Sequence, residues 1–386
     1  MQKINIPKKS KTTVIMALTN IGSRFEHPKY KGISHFVEHM CFKGTKNRTQ
    51  KEIDLGIEKY GGVINAFTDT EITAYWAKIA NEYQEEATDI IMDLASNPIF
   101  PKKEVLKERK VILQELKMYE DNPEYYVDEL LNKTLYKKSS GLYLPILGTK
   151  ETLSNIGRKE LKNYHKINYN NLVLIKVGNV QESELIVYNK RKSDISSADV
   201  NLDNLDKKFF VKRKDITQAN VIIGNDINIP NNKLDNLFAF KLLKSVYSNM
   251  SGRLFTVIRE KHNLVYRIHF YFKMYSCGGI KWEVDLGLEK GKINKAYDLI
   301  IKELSRPLTK KEIEYALLKE IGSMDMYLDN NLNTIKIIAR SLIQDIDYKE
   351  VIYNYKKHLH RIAKSINDYQ KAFNFKRNVL VGVIPE

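Results

Sequence analysis

The sequence predicts an α+β protein made of two homologous halves, each with a mainly antiparallel sheet covered by helices. Its length of 386 residues is enough for two domains of about 190 residues each. Strand-like and helix-like runs follow a similar order in the two halves. Pro98 followed by Lys102-Lys103-Glu104 precedes one long helical run, and Pro307 followed by Lys310-Lys311-Glu312 precedes another. This repeated sequence pattern predicts a repeated architecture.

A polar segment predicts the boundary between the halves. The stretch NKRKSDISSADVNLDNLDKK is charged and nearly free of large apolar clusters, as linkers are. We therefore expect one domain at 1–188, a linker at 189–208 and a second domain at 209–386.

In the first half, runs of β-branched and aromatic residues predict strands, and apolar periodicity predicts helices. Ser34 is the expected N-cap of a short helix and Gly44 its stop, and Gly61-Gly62 precedes a pair of strands. The predicted strands are Thr13–Thr19, Ile72–Ile79 and Leu172–Gly178, and the longer helices are Glu82–Ser96 and Lys102–Asp121.

The second half repeats the pattern. Its predicted strands are Asn220–Gly224, Val265–Tyr275, Gly279–Leu288 and Asn378–Val383, with a helix at Leu234–Ser248 and further helices after residue 290.

Composition narrows the class of protein. A hydrophobic fraction of 43% suits a folded globular chain, and no apolar run approaches the roughly 20 residues of a membrane span, so we expect no membrane partner. The net charge of +16 comes from lysines scattered along the whole chain without an RNA-stacking motif, so we expect no nucleic-acid partner. Two distant cysteines, Cys41 and Cys277, and an N-terminus without a signal-peptide core predict a cytoplasmic protein.

The segment His35-Phe36-Val37-Glu38-His39 reads H-x-x-E-H, the zinc-peptidase motif H-E-x-x-H in reverse order. On a helix, His35 and His39 lie one turn apart on the same face and can hold one Zn²⁺ ion. Glu38 lies beside them and can accept a proton from a water molecule that zinc makes acidic. The five residues alone would equally suit an ordinary polar helix face.

A third protein ligand is expected at a catalytic zinc site, and it must come from another segment. In the predicted helix 102–121, Val105, Ile112 and Leu116 form an apolar stripe. Glu108 and Glu115 are seven residues apart and share a face, so one could ligate the metal while the other orients a histidine. A solvated Glu/Lys helix would explain the same segment without a metal.

The motif and its flanks resemble a known family. HFVEHMCFKGT, preceded by GSRFE and followed by GGVINAFTDTE, is similar to the inverted-motif zinc peptidases of the pitrilysin, insulysin and mitochondrial-processing-peptidase family. The resemblance implies one Zn²⁺ per chain on His35, His39 and Glu115, with Glu38 as general base. It also implies that Glu108 supports a ligand, that the two halves enclose a peptide chamber, and that the second half, which lacks the motif, binds no second zinc.

The resemblance also implies residues that contact the substrate. Asn65-Ala66-Phe67 would form an edge strand to which an extended peptide can add, although an ordinary core strand would fit the same residues. In RLFTVIREKHNLVY, Arg259 and Tyr266 would stabilise the carbonyl oxygen as it gains charge, where a helix-end arginine and a core tyrosine are the structural alternative. The family pattern begins with a further edge strand of roughly ten residues, which we do not expect here.

The expected activity is therefore zinc-dependent endopeptidase hydrolysis of peptides or unfolded protein segments. The alternative is a non-catalytic or partner-dependent subunit of a heteromeric processing peptidase. A homodimer or a related subunit is the expected protein partner.

Overall fold

The computed structural model describes residues 2–185, 200–229 and 232–386, which form two compact units. The first unit contains residues 2–118, 144–185 and 327–343. The second contains residues 119–143, 200–229, 232–326 and 344–386.

The first unit has a six-stranded sheet in the order β3-β4-β2-β5-β1-β6. Its strands are β1 Gln2–Pro7, β2 Thr12–Thr19, β3 Val63–Thr68, β4 Thr73–Ala80, β5 Val173–Gly178 and β6 Ser183–Leu185. Every neighbouring pair is antiparallel except β1 and β5, which are parallel. Strand β3 therefore lies at one edge of this sheet and β6 at the other.

The second unit has a five-stranded sheet in the order β7-β11-β8-β10-β9. Its strands are β7 Lys208–Arg213, β8 Ala219–Asn228, β9 Val265–Met274, β10 Gly279–Leu288 and β11 Val379–Pro385. Again one pair, β7 and β11, is parallel and the others are antiparallel. In chain order these five strands correspond to β1, β2, β3, β4 and β5, and they follow the same spatial order. Strand β9 therefore occupies the edge that β3 occupies in the first sheet.

Helices account for much of the remaining chain. In the first half they are α1 Ile33–Cys41, α2 Gln50–Glu58, α3 Gln84–Ser96, α4 Lys102–Asp121, α5 Pro123–Leu135, α6 Lys150–Ser154 and α7 Arg158–Asn168. In the second half they are α8 Lys233–Tyr247, α9 Ile293–Ser305, α10 Lys310–Asp329, α11 Asn331–Gln344, α12 Tyr348–Ile352, α13 Tyr355–Ala363 and α14 Ile366–Ala372. No helix among the described residues is both long enough and apolar enough to span a membrane.

The repeated architecture predicted from the sequence is confirmed. The two sheets share their strand order, and α4 and α10 are both 20 residues long. Each of these helices begins at the lysine pair that follows the echoed proline. The fold is thus α+β with two homologous halves, as expected, and each sheet is mixed through its single parallel pair.

The sequence predicts no element before Thr13, whereas the structure has a strand there, and the expected lack of a further edge strand stays a prediction. Residues Gln2–Pro7 form β1, which pairs with both β5 and β6 and so lies inside the sheet. Ile4, Asn5 and Ile6 are all buried, as is usual for a strand inside a covered sheet.

The predicted domain boundaries differ from the two units in two segments, since residues 119–143 pack in the second unit and residues 327–343 in the first. Helix α5 is the clearest case. Its apolar face packs into a core cluster of the second unit that includes Val127, Leu131, Leu135, Ile222 and Val381. Hydrophobic periodicity reveals such a face but not which sheet it covers.

The predicted linker is only partly described. Residues 189–199 lie outside the described residues. Residues 200–208 contain a bridge between Val200 and Tyr136, a 3₁₀ helix at Leu202–Asn204 and the first residue of β7. Leu205 is buried in the second unit's core cluster, so this part of the segment belongs to that unit.

Candidate metal centre

Helix α1 carries the H-x-x-E-H residues on the side away from its buried face. Ile33, Phe36, Val37 and Met40 recur at three- and four-residue spacing and are at most 2% exposed. They pack in the core cluster of the first unit. The same spacing leaves His35 and His39 together, with ring centroids 4.6 Å apart.

A buried carboxylate holds the N-terminus of α1. Glu26 accepts hydrogen bonds from the backbone N–H of Gly32 at 2.8 Å and of Ser34 at 2.7 Å, and Lys31 Nζ lies 3.9 Å away. Burial raises the pKa of Glu26, while Lys31 and these hydrogen bonds lower it in part. The carboxylate supplies the acceptors that the first helical N–H groups need.

The prediction of Ser34 as N-cap is therefore wrong. The N-cap is Gly32, which has a φ of 94°. The Glu26 carboxyl group accepts from the N–H groups of Gly32 and Ser34. The Ser34 hydroxyl is hydrogen-bonded to the Tyr164 hydroxyl at 2.6 Å. The helix also ends at Cys41, three residues before the predicted stop at Gly44.

Helix α4 brings Glu115 to the histidines. Val105, Ile112 and Leu116 are buried, as the apolar stripe predicts. Glu115 Oε2 lies 3.8 Å from His35 Nε2 and 3.8 Å from His39 Nε2. One donor atom from each of the three residues lies within 4.8 Å of the other two.

The three donors fit a zinc ion. A tetrahedral ion with bonds of about 2.0–2.2 Å holds its ligand atoms about 3.3–3.6 Å apart. The observed 3.8 Å separations differ from this by only a few tenths of an ångström. Two imidazoles and one carboxylate are also a donor set that zinc uses in catalytic sites.

The protonation of the histidines favours metal binding. Burial and then the neighbouring His39 lower the pKa of His35 to about 3, so His35 is neutral at pH 7. His39 Nδ1 lies 3.1 Å from Glu108 Oε2. A proton on Nδ1 donated to this carboxylate leaves the lone pair of Nε2 directed away from Glu108, which is the tautomer a metal requires. His35 Nδ1 is buried and has no hydrogen-bond partner among the described residues.

Glu108 lies between His39 and a lysine. Its Oε1 is 2.8 Å from Lys43 Nζ. Burial by itself raises the pKa of Glu108, but the hydrogen bonds from Lys43 and His39 outweigh it and hold the pKa below its usual range. Glu108 is thus a charged acceptor that orients the His39 ring.

Glu38 is also held by a neighbour. The Thr68 hydroxyl at the end of β3 donates a hydrogen bond to Glu38 Oε2. Burial raises the pKa of Glu38, and Glu115 raises it further, against the opposing effects of Thr68 and His39. One carboxylate oxygen is therefore fixed by Thr68, which leaves Oε1 for another partner.

The predicted substrate strand lies at a sheet edge. Asn65, Ala66 and Phe67 belong to β3, which pairs with β4 on one side and has no strand on the other among the described residues. The Asn65 side-chain oxygen accepts a hydrogen bond from the Ala66 N–H at 2.7 Å. Their role in binding a peptide stays a prediction.

Arg259 and Tyr266 belong to the second unit. Arg259 lies in a π-helix, Phe255–Lys261, with its guanidinium 4.7 Å from the centroid of the Phe255 ring. Tyr266 is the second residue of β9 and is 50% exposed. The roles of Arg259 and Tyr266 in contacting a substrate stay predictions.

Three supporting residues were missed in the sequence. Lys43 follows His39 by four residues, and this spacing was a usable signal. Thr68 directly follows Asn65-Ala66-Phe67, and Glu26 ends the quoted GSRFE segment, but no pattern in either segment assigns a partner.

Comparison with protein families covers both halves. Residues 3–150 match the family described as insulinase, peptidase family M16, and residues 155–321 match the family described as the peptidase M16 inactive domain.

Relatives with similar sequences include two bacterial proteins named as uncharacterized zinc proteases. The one from Rickettsia felis is 33% identical over 307 residues, which is 78% of this chain and 73% of the relative. The one from Bacillus subtilis, YmxG, is 32% identical over 321 residues, 80% of this chain and 77% of the relative. The human mitochondrial-processing peptidase subunit beta is 38% identical over 167 residues, but these are 43% of this chain and 34% of that protein.

Solved structures share the fold at low sequence identity. A protease from Helicobacter pylori covers 99% of this chain and 96% of its own, with a TM-score of 0.84 and 18% identity. A peptidase M16 inactive domain from Pseudomonas fluorescens covers 100% of this chain and 95% of its own, with a TM-score of 0.82 and 14% identity. This chain covers more than two thirds of the length of both zinc-protease relatives at over 30% identity. The chain therefore belongs to the insulinase family of peptidases, peptidase family M16.

Proposed function

We propose that this chain is a zinc-dependent endopeptidase that hydrolyses peptide bonds in peptides or unfolded protein segments. One observation carries the proposal: His35 Nε2 and His39 Nε2 both lie 3.8 Å from Glu115 Oε2. Glu38 is on the same helix, next to His39. The zinc-protease names of the relatives support the same activity.

His35, His39 and Glu115 would hold one zinc ion per chain. When bound, zinc supplies Lewis acidity, which polarises a carbonyl group and lowers the pKa of a water molecule to about 7. Glu108 keeps the Nδ1 proton on His39, so that Nε2 remains a ligand. Lys43 compensates the charge of Glu108 on its other oxygen.

Glu38 would act as the general base. The hydrogen bond from Thr68 holds Glu38 Oε2, so Oε1 can accept the proton of the attacking water. The same carboxyl group can then deliver that proton to the departing amine, which makes Glu38 both base and acid in one cycle.

An extended peptide would bind at β3. The free edge of this strand offers backbone N–H and C=O groups to an added strand. The Ala66 N–H is satisfied by the adjacent Asn65 side chain, so Asn65 would rotate away when a peptide carbonyl takes its place. Arg259 and Tyr266 would donate hydrogen bonds to the carbonyl oxygen as charge develops on it.

The experiment combines metal analysis with cleavage of a peptide library. The parent chain should contain about one zinc and cleave peptides, and a chelator should abolish cleavage. Glu38→Gln should keep zinc and lose about 10²–10⁴-fold in turnover, whereas Glu115→Gln should lose zinc. Glu58→Gln, which removes an exposed carboxylate at the end of α2, is the matched control and should behave as the parent. Cleavage that survives the chelator, or full activity in Glu38→Gln, would contradict the mechanism.

A second candidate is a subunit that needs a partner. It is favoured by the 38% identity to a named subunit, the mitochondrial-processing peptidase subunit beta, over 167 residues. In that case the purified chain would bind zinc but cleave peptides only after a related subunit is added. Activity of the chain alone, as monomer or homodimer, would exclude this requirement.

We also propose a cytoplasmic location. Neither Cys41 nor Cys277 is in a disulfide, which suits a reducing compartment. Cell fractionation with the tagged chain would test the location.

A further inference from the structure

Tyr266 lies at an irregularity between two strands of the second sheet. Strands β9 and β10 pair antiparallel, with Arg267 opposite Gly287 and Val265 opposite Leu288. The register shifts between Gly287 and Leu288, so Tyr266 has no residue opposite to it. This is a β-bulge, a feature that changes the direction of a side chain at the edge of a sheet.

The ring of Tyr266 lies against the backbone of Gly287. A Cβ atom placed on Gly287 would be 2.3 Å from Tyr266 Cζ and 2.5 Å from its hydroxyl oxygen. Both distances are far below any van der Waals contact. The space that any other side chain would need at position 287 is therefore occupied by the phenol.

The backbone does not itself require glycine at this position. Gly287 is not among the residues with positive φ. Glycine in a strand interior is also less stable than alanine, because more backbone freedom is lost on folding. The reason for glycine that the structure offers is the position of the phenol.

The next residue along β9 is firmly held. Arg267 forms ion pairs with Glu124 and with Asp285, the latter at 3.2 Å, and donates a hydrogen bond to the Asn220 side chain at 3.0 Å. The bulge is therefore anchored on its C-terminal side, next to the half-exposed ring of Tyr266.

We propose that Gly287 is a positioning residue for the peptidase reaction. By having no side chain, it leaves room for the Tyr266 phenol against the backbone of β10, in the orientation from which the hydroxyl would donate to the substrate carbonyl. The inference rests on the proposed function, in which Tyr266 contacts the substrate. Gly287 would thus affect turnover without contacting the substrate or the metal.

The test is Gly287→Ala. The three atoms nearest to the added methyl all belong to the far end of the half-exposed Tyr266 side chain, so we expect the ring to be displaced and the fold to be kept. Zinc content should be unchanged and the melting temperature should not fall. Turnover should fall by about 10²-fold, as for loss of one oxyanion donor, with KM within a few-fold of the parent. In a Tyr266→Ala background, Gly287→Ala should have no further effect, since the two changes remove the same interaction.

A spectroscopic measurement can report the position of the Tyr266 ring independently of enzyme activity. With 3-fluorotyrosine incorporated at position 266, Gly287→Ala should shift the ¹⁹F resonance. The control is Gly291→Ala, where an added Cβ meets nothing within 4 Å, and it should leave both resonance and turnover unchanged.

The outcomes are distinguishable. An unchanged ¹⁹F resonance in Gly287→Ala would overturn the positioning role, whatever the activity. A shifted resonance with normal turnover would overturn the link between the phenol and the reaction. A zinc-loaded parent chain that cleaves no peptide would instead overturn the proposed function, and with it the catalytic part of this inference.

Discussion

Glu108→Gln tests how much the carboxylate behind His39 contributes to zinc binding. In the parent, Glu108 Oε2 lies 3.1 Å from His39 Nδ1 and Oε1 lies 2.8 Å from Lys43 Nζ. The glutamine amide keeps the size of the side chain but has one oxygen and no charge. It can accept a hydrogen bond from His39 or from Lys43, but not from both.

The magnitude follows from these contacts. If the amide oxygen turns to Lys43, the NH₂ group faces His39 Nδ1 and favours the tautomer whose proton is on Nε2, the atom that should bind zinc. Even in the better orientation, a charge-assisted hydrogen bond becomes a neutral one, of about half the strength. Loss of such a partner typically lowers metal affinity 10–100-fold, which is about 1.4–2.8 kcal/mol.

The assay is competition for zinc with a chromophoric chelator, with melting curves on the same samples. Glu104→Gln is the control, because Glu104 is on the same helix and pairs with Lys107 at 2.7 Å without contacting a histidine. We expect the affinity of the control to match that of the parent. Equal zinc affinities for Glu108→Gln and Glu104→Gln would refute the reasoning.

Three further predictions concern other contacts. Thr68→Val should lower turnover about tenfold at unchanged zinc content, because Glu38 loses its hydrogen bond; equal turnover would mean that Thr68 does not orient the base. Glu26→Gln should lower the free energy of unfolding by about 3–5 kcal/mol in a urea titration, since the buried Lys31 loses its carboxylate neighbour; an unchanged midpoint would contradict a stabilising role of the Glu26 carboxylate. Burial is the main cause that raises the pKa of Asp285 in the folded protein to about 6. The stability that Asp285 contributes in its protonated form is therefore complete below the unfolded-state pKa of about 3.9, and it is lost as the pH rises through 6. The melting temperature of the parent relative to Asp285→Asn should therefore rise from pH 7 to pH 5, and a constant difference would contradict the shift.

Regular elements with strong local signals were predictable. Helix α4 has the predicted bounds, Lys102–Asp121, since Pro101 precedes it and its apolar stripe is regular. Strand β10 has the predicted bounds, Gly279–Leu288, because its apolar residues alternate and glycines precede it. The metal-binding residues could also be predicted from the sequence, because His35 and His39 lie in one motif and the resemblance selects Glu115 over Glu108.

Features that depend on contacts distant in sequence were not predictable. A serine near the start of a helix is a good cap by propensity, but here the buried Glu26 carboxyl group accepts the N–H groups of Gly32 and Ser34, a contact that periodicity cannot reveal. The Thr68 hydroxyl reaches Glu38 across 30 residues of sequence. The β-bulge at Tyr266 depends on the register of two strands, and no single residue in RLFTVIREKHNLVY signals it.

The interleaving of the two units has a consequence for synthesis of the chain. The first unit includes residues 327–343, which leave the ribosome after most of the second half has been made. Asn331, for example, donates a hydrogen bond to the Thr12 carbonyl at 2.9 Å. The nascent first half thus cannot complete the unit that carries the metal residues, although domains generally fold in order from the N-terminus. The first unit can therefore be completed only after residue 343 has left the ribosome, and a ribosome that stalls before residue 327 would leave a fragment without a complete first unit.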